Sequence, residues 1–466
     1  MDELIQNLFE DKNLALLGFG REGRSSYSLI RKVFPEKRIT IIDENDTVRF
    51  DSLLARDNNL HFITGEGCMN KIDDFDVAIK SPGIPSNSLP TELKRVYLTS
   101  QTDIFLQCFG KQIIGITGTK GKSTTSSLVH HILKLAEINT LLVGNIGVPP
   151  FDCINEIKPD SRIVMELSSH QLEYISHAPH IAVFLNLFQE HLDHYYTYEE
   201  YQSAKFNIGK YQNPDDFFIY NFDNDTLKQL LKRSGKTGQT ILEFSLETNK
   251  STAIKIEKGW IEMFYNNTYI KLYDTSLNQP LKGHHNLYNI MAAAVSCYVA
   301  GVSVENISQG ITSFNGLEHR IEPVGNYNGI FWYNDSIATI PEATIEAIKT
   351  LKVVDTLILG GFDRGIDYKI LYPFLNSSEI TNIIFVGKAG LRMRNEFISF
   401  GIRAIRIYDA HNYGEVVSIA GKITYPGKIC LLSPAAASYD MFANFEERGK
   451  AFKKNVRELS PSQVSS

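Results

Sequence analysis

The chain of 466 residues carries 47 basic and 53 acidic side chains, a formal net charge of −6, and is 43% apolar and 21% charged. That length and composition build about two to four cored domains and exclude a disordered chain, and the acidic balance argues against nucleic acid or another polyanion as partner. The cysteines Cys68, Cys108, Cys153, Cys297 and Cys430 lie far apart with no C-x-x-C pair, which argues against a disulfide framework or a thiolate zinc site and fits a reducing, cytoplasmic setting. No run approaches the roughly 18 apolar residues of a membrane span, and the opening Met1-Asp2-Glu3 is unlike a secretion signal.

In chain order, an apolar run at 13–17, a Gly-rich turn, a helix near Glu22 to Val33 and a second apolar run at 38–42 form a βαβ unit. A strand at 76–79 runs into Ser81-Pro82-Gly83-Ile84-Pro85. The pattern restarts near Gly110: a strand at 112–116, a second Gly-rich turn, and a long helix from Lys122. Short apolar runs at 140–143, 163–165 and 181–185 read as buried parallel strands. Residues 237–280 are polar and β-rich, with a turn at Asn266-Asn267, and read as an antiparallel insertion. A helix from about Asn286 to Gly301 follows, then a third α/β unit with strands near 329–333, 356–359, 382–386 and 429–432.

Gly118-Thr119-Lys120-Gly121-Lys122-Ser123-Thr124 stands between a strand and a helix. Glycines there turn successive backbone N–H groups into one concavity that binds phosphate oxygens. Lys122 is spaced to reach the β/γ-phosphates of ATP and Ser123 to hold magnesium. The spacing departs from G-x-x-x-x-G-K-S: Ile116 stands where the first glycine belongs, and Gly115 is one residue early. Nearer the N-terminus, Gly18-x-Gly20-x-x-Gly23 follows a strand and opens a helix, with Asp43 about twenty residues on. By itself that fingerprint fits an NAD-dependent dehydrogenase, a reading that leaves the second Gly-rich loop idle. Glu166 stands at a strand end and His191 after the next strand. Alone they read as a helix-capping acid and a satisfied loop histidine more often than as metal ligands.

The loop Ile116 to Thr124 resembles the ATP loop of the Mur ligases. The likeness continues through Gly144-Asn145-Ile146-Gly147, Glu166-Leu167-Ser168-Ser169, Glu190-His191-Leu192-Asp193, His285-Asn286 with Asn289, Glu318-His319-Arg320, Asn334-Asp335-Ser336, Gly360-Gly361 and Leu432-Ser433-Pro434. So many motifs in one order are far more specific than any one alone. The resemblance implies three α/β domains: a Rossmann-like domain over 1–109 binding the UDP part of a substrate, a central P-loop ATPase domain with a parallel sheet over 110–317, and a Rossmann-like domain over 318–466 that binds glutamate and closes on ATP.

The same likeness implies the roles. Gly18, Gly20, Arg21, Glu22, Gly23, Asp43, Ser81, Gly83 and Asn145 would bind the UDP substrate. Gly118 to Thr124 would bind ATP with Asn286, Asn289, Arg320 and Asp335. Ser123, Glu166, His191 and a carbamylated Lys205 would hold Mg2+, and Lys122, Glu166, His191 and Lys205 would carry catalysis. Without the resemblance Lys205 is an ordinary helix-surface lysine, and His319 reads equally as packed between domains.

Ser433 to Asp440 and Asn444 to Gly449 are similar to the glutamate site of the glutamate-adding members, with Thr339, Arg364, Ser438, Tyr439 and Phe445 as contacts. The family often has lysine where Ile337 stands and near Arg364, and the forms Asp335-Ser336-Ile337 and Asp363-Arg364-Gly365 resemble a subgroup that adds L-glutamate. The implied reaction is ATP-dependent addition of glutamate, D-glutamate favoured over L-glutamate, to UDP-N-acetylmuramoyl-L-alanine through an acyl phosphate. The implied protein is a monomer acting on small molecules, without nucleic acid or membrane insertion. Folate-type relatives lack the N-terminal unit.

Overall fold

A computed structural model of the chain describes residues 1–90, 92–190, 194–235, 238–247, 252–277, 281, 283–401 and 405–459. The chain divides into two compact units, Met1–Phe314 and Asn315–Ser466. Among the described residues, no helix is long and apolar enough to cross a membrane.

The first unit holds two sheets. β1 (Leu14–Leu17), β2 (Ile39–Asp43), β3 (Leu60–Thr64), β4 (Val77–Lys80) and β5 (Tyr97–Thr99) form an all-parallel sheet in the order β3-β2-β1-β4-β5. Leu14 to Leu17 are all buried, as expected of a strand covered on both faces. The strand order reverses between β1 and β4, which opens a crevice beyond their carboxyl ends. Gly18 and Ser81 stand at that crevice.

The second sheet comprises β6 (Ile113–Thr117), β7 (Thr140–Gly144), β8 (Arg162–Glu166), β9 (Ile181–Phe184), β10 (Phe217–Asn221), β11 (Thr240–Ser245), β12 (Ile254–Glu257), β13 (Trp260–Tyr265) and β14 (Thr268–Asp274), in the order β14-β13-β12-β11-β10-β9-β6-β8-β7. β6 lies between β8 and β9, so the phosphate loop, Glu166 and Leu185 leave the sheet at neighbouring strand ends. The expectation of an antiparallel insertion over 237–280 holds for β12 to β14 and is corrected at β11. β11 runs parallel to β10, and β12 parallel to β11; among the described strands of this sheet, only the β12–β13 and β13–β14 pairings are antiparallel. The helix Asp225–Ser234, started by the Asn224 cap, provides the crossover that parallel pairing requires. Asn266 and Asn267, at φ 50° and 58°, make the tight turn joining β13 to β14.

The second unit is built on β15 (Glu322–Tyr327), β16 (Ile330–Asn334), β17 (Val354–Gly360), β18 (Asn382–Val386), β19 (Arg406–Ala410) and β20 (Ile429–Leu432), in the order β15-β16-β20-β17-β18-β19. Among the described strands of this sheet, only the β15–β16 pairing is antiparallel. Apolar clusters cover both faces, one around Leu357, Leu359 and Phe385, the other around Trp332, Ile358 and Phe452. Asp335, Gly361, Gly387 and Ser433 therefore gather where β16, β17, β18 and β20 end.

Candidate functional sites

The phosphate loop is shaped by two glycines in backbone conformations that side chains disfavour: Gly118 at φ 156° and Gly121 at 86°. A Cβ on Gly121 would meet Asn289 Oδ1 at 2.4 Å. The helix Lys122–Leu135 starts directly after Gly121, so its N-terminal, positive dipole end faces the loop. Lys122 Nζ donates to Gly118 O at 2.9 Å and to Thr119 O at 3.1 Å. Lys205 Nζ donates to the same Gly118 O at 2.9 Å.

The loop is anchored to the segment after β9. Asn186 Oδ1 accepts from Lys120 N at 2.8 Å, Asn186 Nδ2 donates to Lys120 O at 2.9 Å, and Asn186 O accepts from Thr119 N. Lys120 Nζ pairs with Glu190. Ser123 is half-buried and Thr124 buried in the first turn. Asn289 Nδ2 donates to Asn286 Oδ1 at 2.9 Å, while Thr125 Oγ1 donates to Asn289 Oδ1 at 3.2 Å. Asn186 was not singled out from sequence; its place between a strand end and the acidic His191 motif is the signal it offers.

Lys205 lies on the helix Tyr198–Lys210 and is 2% exposed. Its surface reading is therefore corrected: the residue faces the sheet. Burial first, then repulsion from Lys122, drives its ammonium pKa well below the ordinary value, with Glu190 and Glu166 opposing. Glu166 is fully buried. Its Oε1 accepts from Asn145 Nδ2 at 2.6 Å, while Oε2 has no hydrogen-bond partner among the described residues. His191 lies outside the described residues. Among those described, no group of three His, Cys, Asp or Glu side chains is gathered as a metal site.

A cavity of about 410 Å³ opens at the crevice between β1 and β4. Gly18, Gly20, Arg21, Glu22, Asp43, Ser81, Gly83 and Asn145 line it, with Phe19, Ile84 and Gln171 among its further walls. Gly23 does not line it; a Cβ there would meet Gly18 O at 2.2 Å, so this glycine serves close helix–strand packing. Asp43 Oδ2 accepts from Phe19 N at 2.8 Å and holds the turn. Ser81 Oγ donates to Gly18 O at 2.9 Å, and Arg21 reaches Gly147 O. Gln171 Nε2 donates to Glu22 Oε1 at 2.7 Å. Burial raises the Glu22 carboxyl pKa despite that bond and the Arg21 and Lys80 charges.

In the second unit, Asp335 is 3% exposed. Its Oδ2 accepts from Ser433 Oγ at 2.7 Å and its Oδ1 from Ile321 N at 3.1 Å. Burial outweighs these bonds and the Arg320 charge, and pushes the carboxyl up to about 7. Arg320 is exposed. His319 is buried against Asn334, with Nδ1 2.8 Å from Asn334 Nδ2.

Arg364 is exposed and donates from Nη2 to Thr339 O at 3.1 Å. Ser438 is buried, Phe445 half-buried, and Tyr439 exposed with its ring edge-on to Phe362. Arg448, a member of the Asn444–Gly449 motif, organises these loops. At 1% exposure it donates to Ser336 Oγ and O and to Ala436 O and Ala437 O, all at 2.7–3.0 Å. A planar fork with five donors suits that task.

The family model described as "Mur ligase middle domain" matches residues 116–297. The UDP-N-acetylmuramoylalanine–D-glutamate ligase of Clostridium kluyveri is 32% identical over 458 residues, covering 96% of this chain and 97% of the relative. The enzyme of that name from Clostridioides difficile is 34% identical over 455 residues, covering 96% and 99%. Among solved structures, a MurF ligase from Thermotoga maritima in complex with ADP aligns with a TM-score of 0.54 over 99% of this chain and 100% of that one, at 15% identity. The UDP-N-acetylmuramoylalanyl-D-glutamyl-2,6-diaminopimelate–D-alanyl-D-alanyl ligase from Acinetobacter baumannii aligns at 0.56 over 98% of each chain, at 14% identity. The structural likenesses speak to the fold; the identity of about one third along nearly the whole length speaks to descent, and the chain belongs to the Mur ligase family.

Proposed function

We propose that the protein is an ATP-dependent ligase of peptidoglycan synthesis that joins glutamate, D-glutamate favoured, to the alanyl carboxyl group of UDP-N-acetylmuramoyl-L-alanine. The observation that carries the reading is the convergence of Lys122 and Lys205 on Gly118 O within a glycine-built phosphate loop, beside the buried end of β8, in a chain one third identical to D-glutamate ligases over 96% of its length. Function follows the divisions 1–109 for the UDP substrate, 110–317 for ATP, and 318–466 for glutamate. The reading includes a cytoplasmic monomer.

The γ-phosphoryl group passes from ATP to the substrate carboxylate: a carboxylate oxygen–phosphorus bond forms as the bond to the ADP oxygen breaks. The glutamate amine then attacks the acyl carbon, phosphate leaves, and the amine gives up a proton. Lys122 leaves the loop carbonyls for the transferring phosphate, and the loop N–H groups hold the β-phosphate. Arg320 and Asp335 take the phosphate and ribose contacts that the family resemblance implies, and Arg364, Thr339, Ser438, Tyr439 and Phe445 hold glutamate.

The buried Oε2 of Glu166, without a hydrogen-bond partner among the described residues, fits a hard cation that takes few protein oxygens and keeps its waters. Ser123, Glu166, His191 and Lys205 as a carbamate would hold magnesium. Magnesium, when bound, supplies neutralisation of phosphate charge. Lys205 supports the carbamate reading because its buried amine is held toward the neutral, nucleophilic form; the amine adds to carbon dioxide and releases one proton.

A second reading, L-glutamate as acceptor, is favoured by Ile337 where a lysine is usual and by Arg364 in place of another, since a planar fork holds a carboxylate differently from a point charge. Incubation with ATP, UDP-N-acetylmuramoyl-L-alanine and each glutamate enantiomer, followed by chiral analysis of the product, tests both. Product with neither enantiomer refutes the ligase assignment; product with L-glutamate alone refutes only the stereochemistry.

A further inference from the structure

Three ionisable side chains that the chemistry above does not use are buried together in the first unit. Lys80, the last residue of β4, donates to Glu173 Oε2 at 2.9 Å, and Glu173 Oε1 lies 2.6 Å from His194 Nε2. Their side chains are 1%, 5% and 8% exposed. The ring of His194 stacks on that of His170 at 3.8 Å. Burial alone would push the Glu173 carboxyl up, but the His194 hydrogen bond and the Lys80 charge outweigh it and bring it down to about 2. The carboxylate therefore stays ionised.

The position of the group is informative. Glu173 directly follows the short helix Ser169–Leu172, which itself follows Glu166 at the end of β8. That helix is gripped twice by the first sheet's side of the unit: Gln171 by Glu22, and Glu173 by Lys80. Glu22 and Ser81, the neighbour of Lys80, both line the cavity between β1 and β4. Replacing a buried ion pair by well-packed apolar residues of similar volume is often neutral for stability, so stability need not be what such a pair serves.

We propose that Lys80, Glu173 and His194 form a buried clamp that couples occupancy of the UDP-substrate cavity to the position of the strand end carrying Glu166, with Glu173 as the positioning residue at its centre. The inference rests on reading that cavity as the UDP-substrate site. A ligand that orders the Ser81–Gly83 turn orders Lys80, and through Glu173 the segment from Glu166 onward.

The test is hydrogen exchange on the full chain with and without UDP-N-acetylmuramoyl-L-alanine, together with steady-state KM values. In wild type, substrate slows exchange in residues 18–23 and also in 164–174. Glu173→Gln is isosteric, keeps hydrogen-bonding capacity and removes the charge; it retains protection of 18–23, loses that of 164–174, and raises KM for the UDP substrate about tenfold with KM for ATP within twofold. Lys80→Met/Glu173→Gln, a second variant with no uncompensated charge, does the same. Unchanged KM and undiminished coupled protection in either folded variant would reduce the clamp to a packing contact and overturn the proposal. Wild-type protection of 18–23 without any at 164–174 would overturn it alone; absence of protection at both would overturn the cavity reading and the clamp with it.

Discussion

Asp335 makes a sharp test of how burial acts on this chain. Its carboxyl is moved from the ordinary 3.8 to about 7 by loss of hydration that Ser433, Ile321 and Arg320 do not fully offset. At about 1.36 kcal/mol per pH unit, the ionised form costs the second unit about 4 kcal/mol. Between about pH 4 and pH 7 the native chain holds a proton that the unfolded chain has released. Stability therefore falls as pH rises through that window and is level above it.

Asp335→Asn abolishes the ionisation and keeps an oxygen acceptor for one of the two donors. Setting about 1–2 kcal/mol for the mismatched hydrogen bond against the relief, the variant should be more stable than wild type by about 2 kcal/mol at pH 8. At pH 5 it should be no more stable than wild type. Urea unfolding across pH 5 to 8 in a Trp260→Phe background measures this, since the remaining tryptophan, Trp332, is fully buried in the same unit. A stability difference that does not change with pH would refute the assignment of a raised carboxyl to Asp335.

Lys122→Ala should lower ligation on the order of 100-fold or more with the fold intact, as expected when a charge stabilising the transferring phosphate is removed; near-wild-type turnover in a folded variant would remove Lys122 from the ATP site. Lys205→Ala should be nearly inactive and partly restored by a short carboxylic acid filling the gap, and full activity without the acid would refute the carbamate. Gly449→Ala places a Cβ 2.1 Å from His319 Nδ1 and 3.0 Å from Asn334 Nδ2; thermal melts should show a loss of about 1–3 kcal/mol from overpacking, and an unchanged melt would show that His319 yields freely. Arg364→Ala should raise KM for glutamate roughly tenfold or more while KM for ATP holds, the loss of a charged hydrogen bond being worth about 1.5–3 kcal/mol; an equal change in both constants would deny it a place in the acceptor site.

Much of the fold and part of the candidate site are legible in the sequence, for a reason that Gly118 to Thr124 and Gly18 to Gly23 share. Each is a contiguous stretch whose backbone must turn sharply between a strand and a helix, so its requirement is written in neighbouring residues. The buried strands β1, β6, β8, β9 and β18 announce themselves likewise, because both faces of a covered parallel strand are apolar. The short, half-exposed β3, β5 and β19 carry no such pattern and were missed. The buried β10 was missed too, and its parallel pairing with β11 depends on a crossover helix rather than on either strand. Only the tertiary structure decided that Lys205 turns inward, that Arg448 ties four acceptors in three loop positions, and that Lys80 finds Glu173 at a distance of 93 residues along the chain. Which face of a helix meets the sheet, and which distant charge meets another, follows from how strands pair and helices pack, and no local run of residues encodes it.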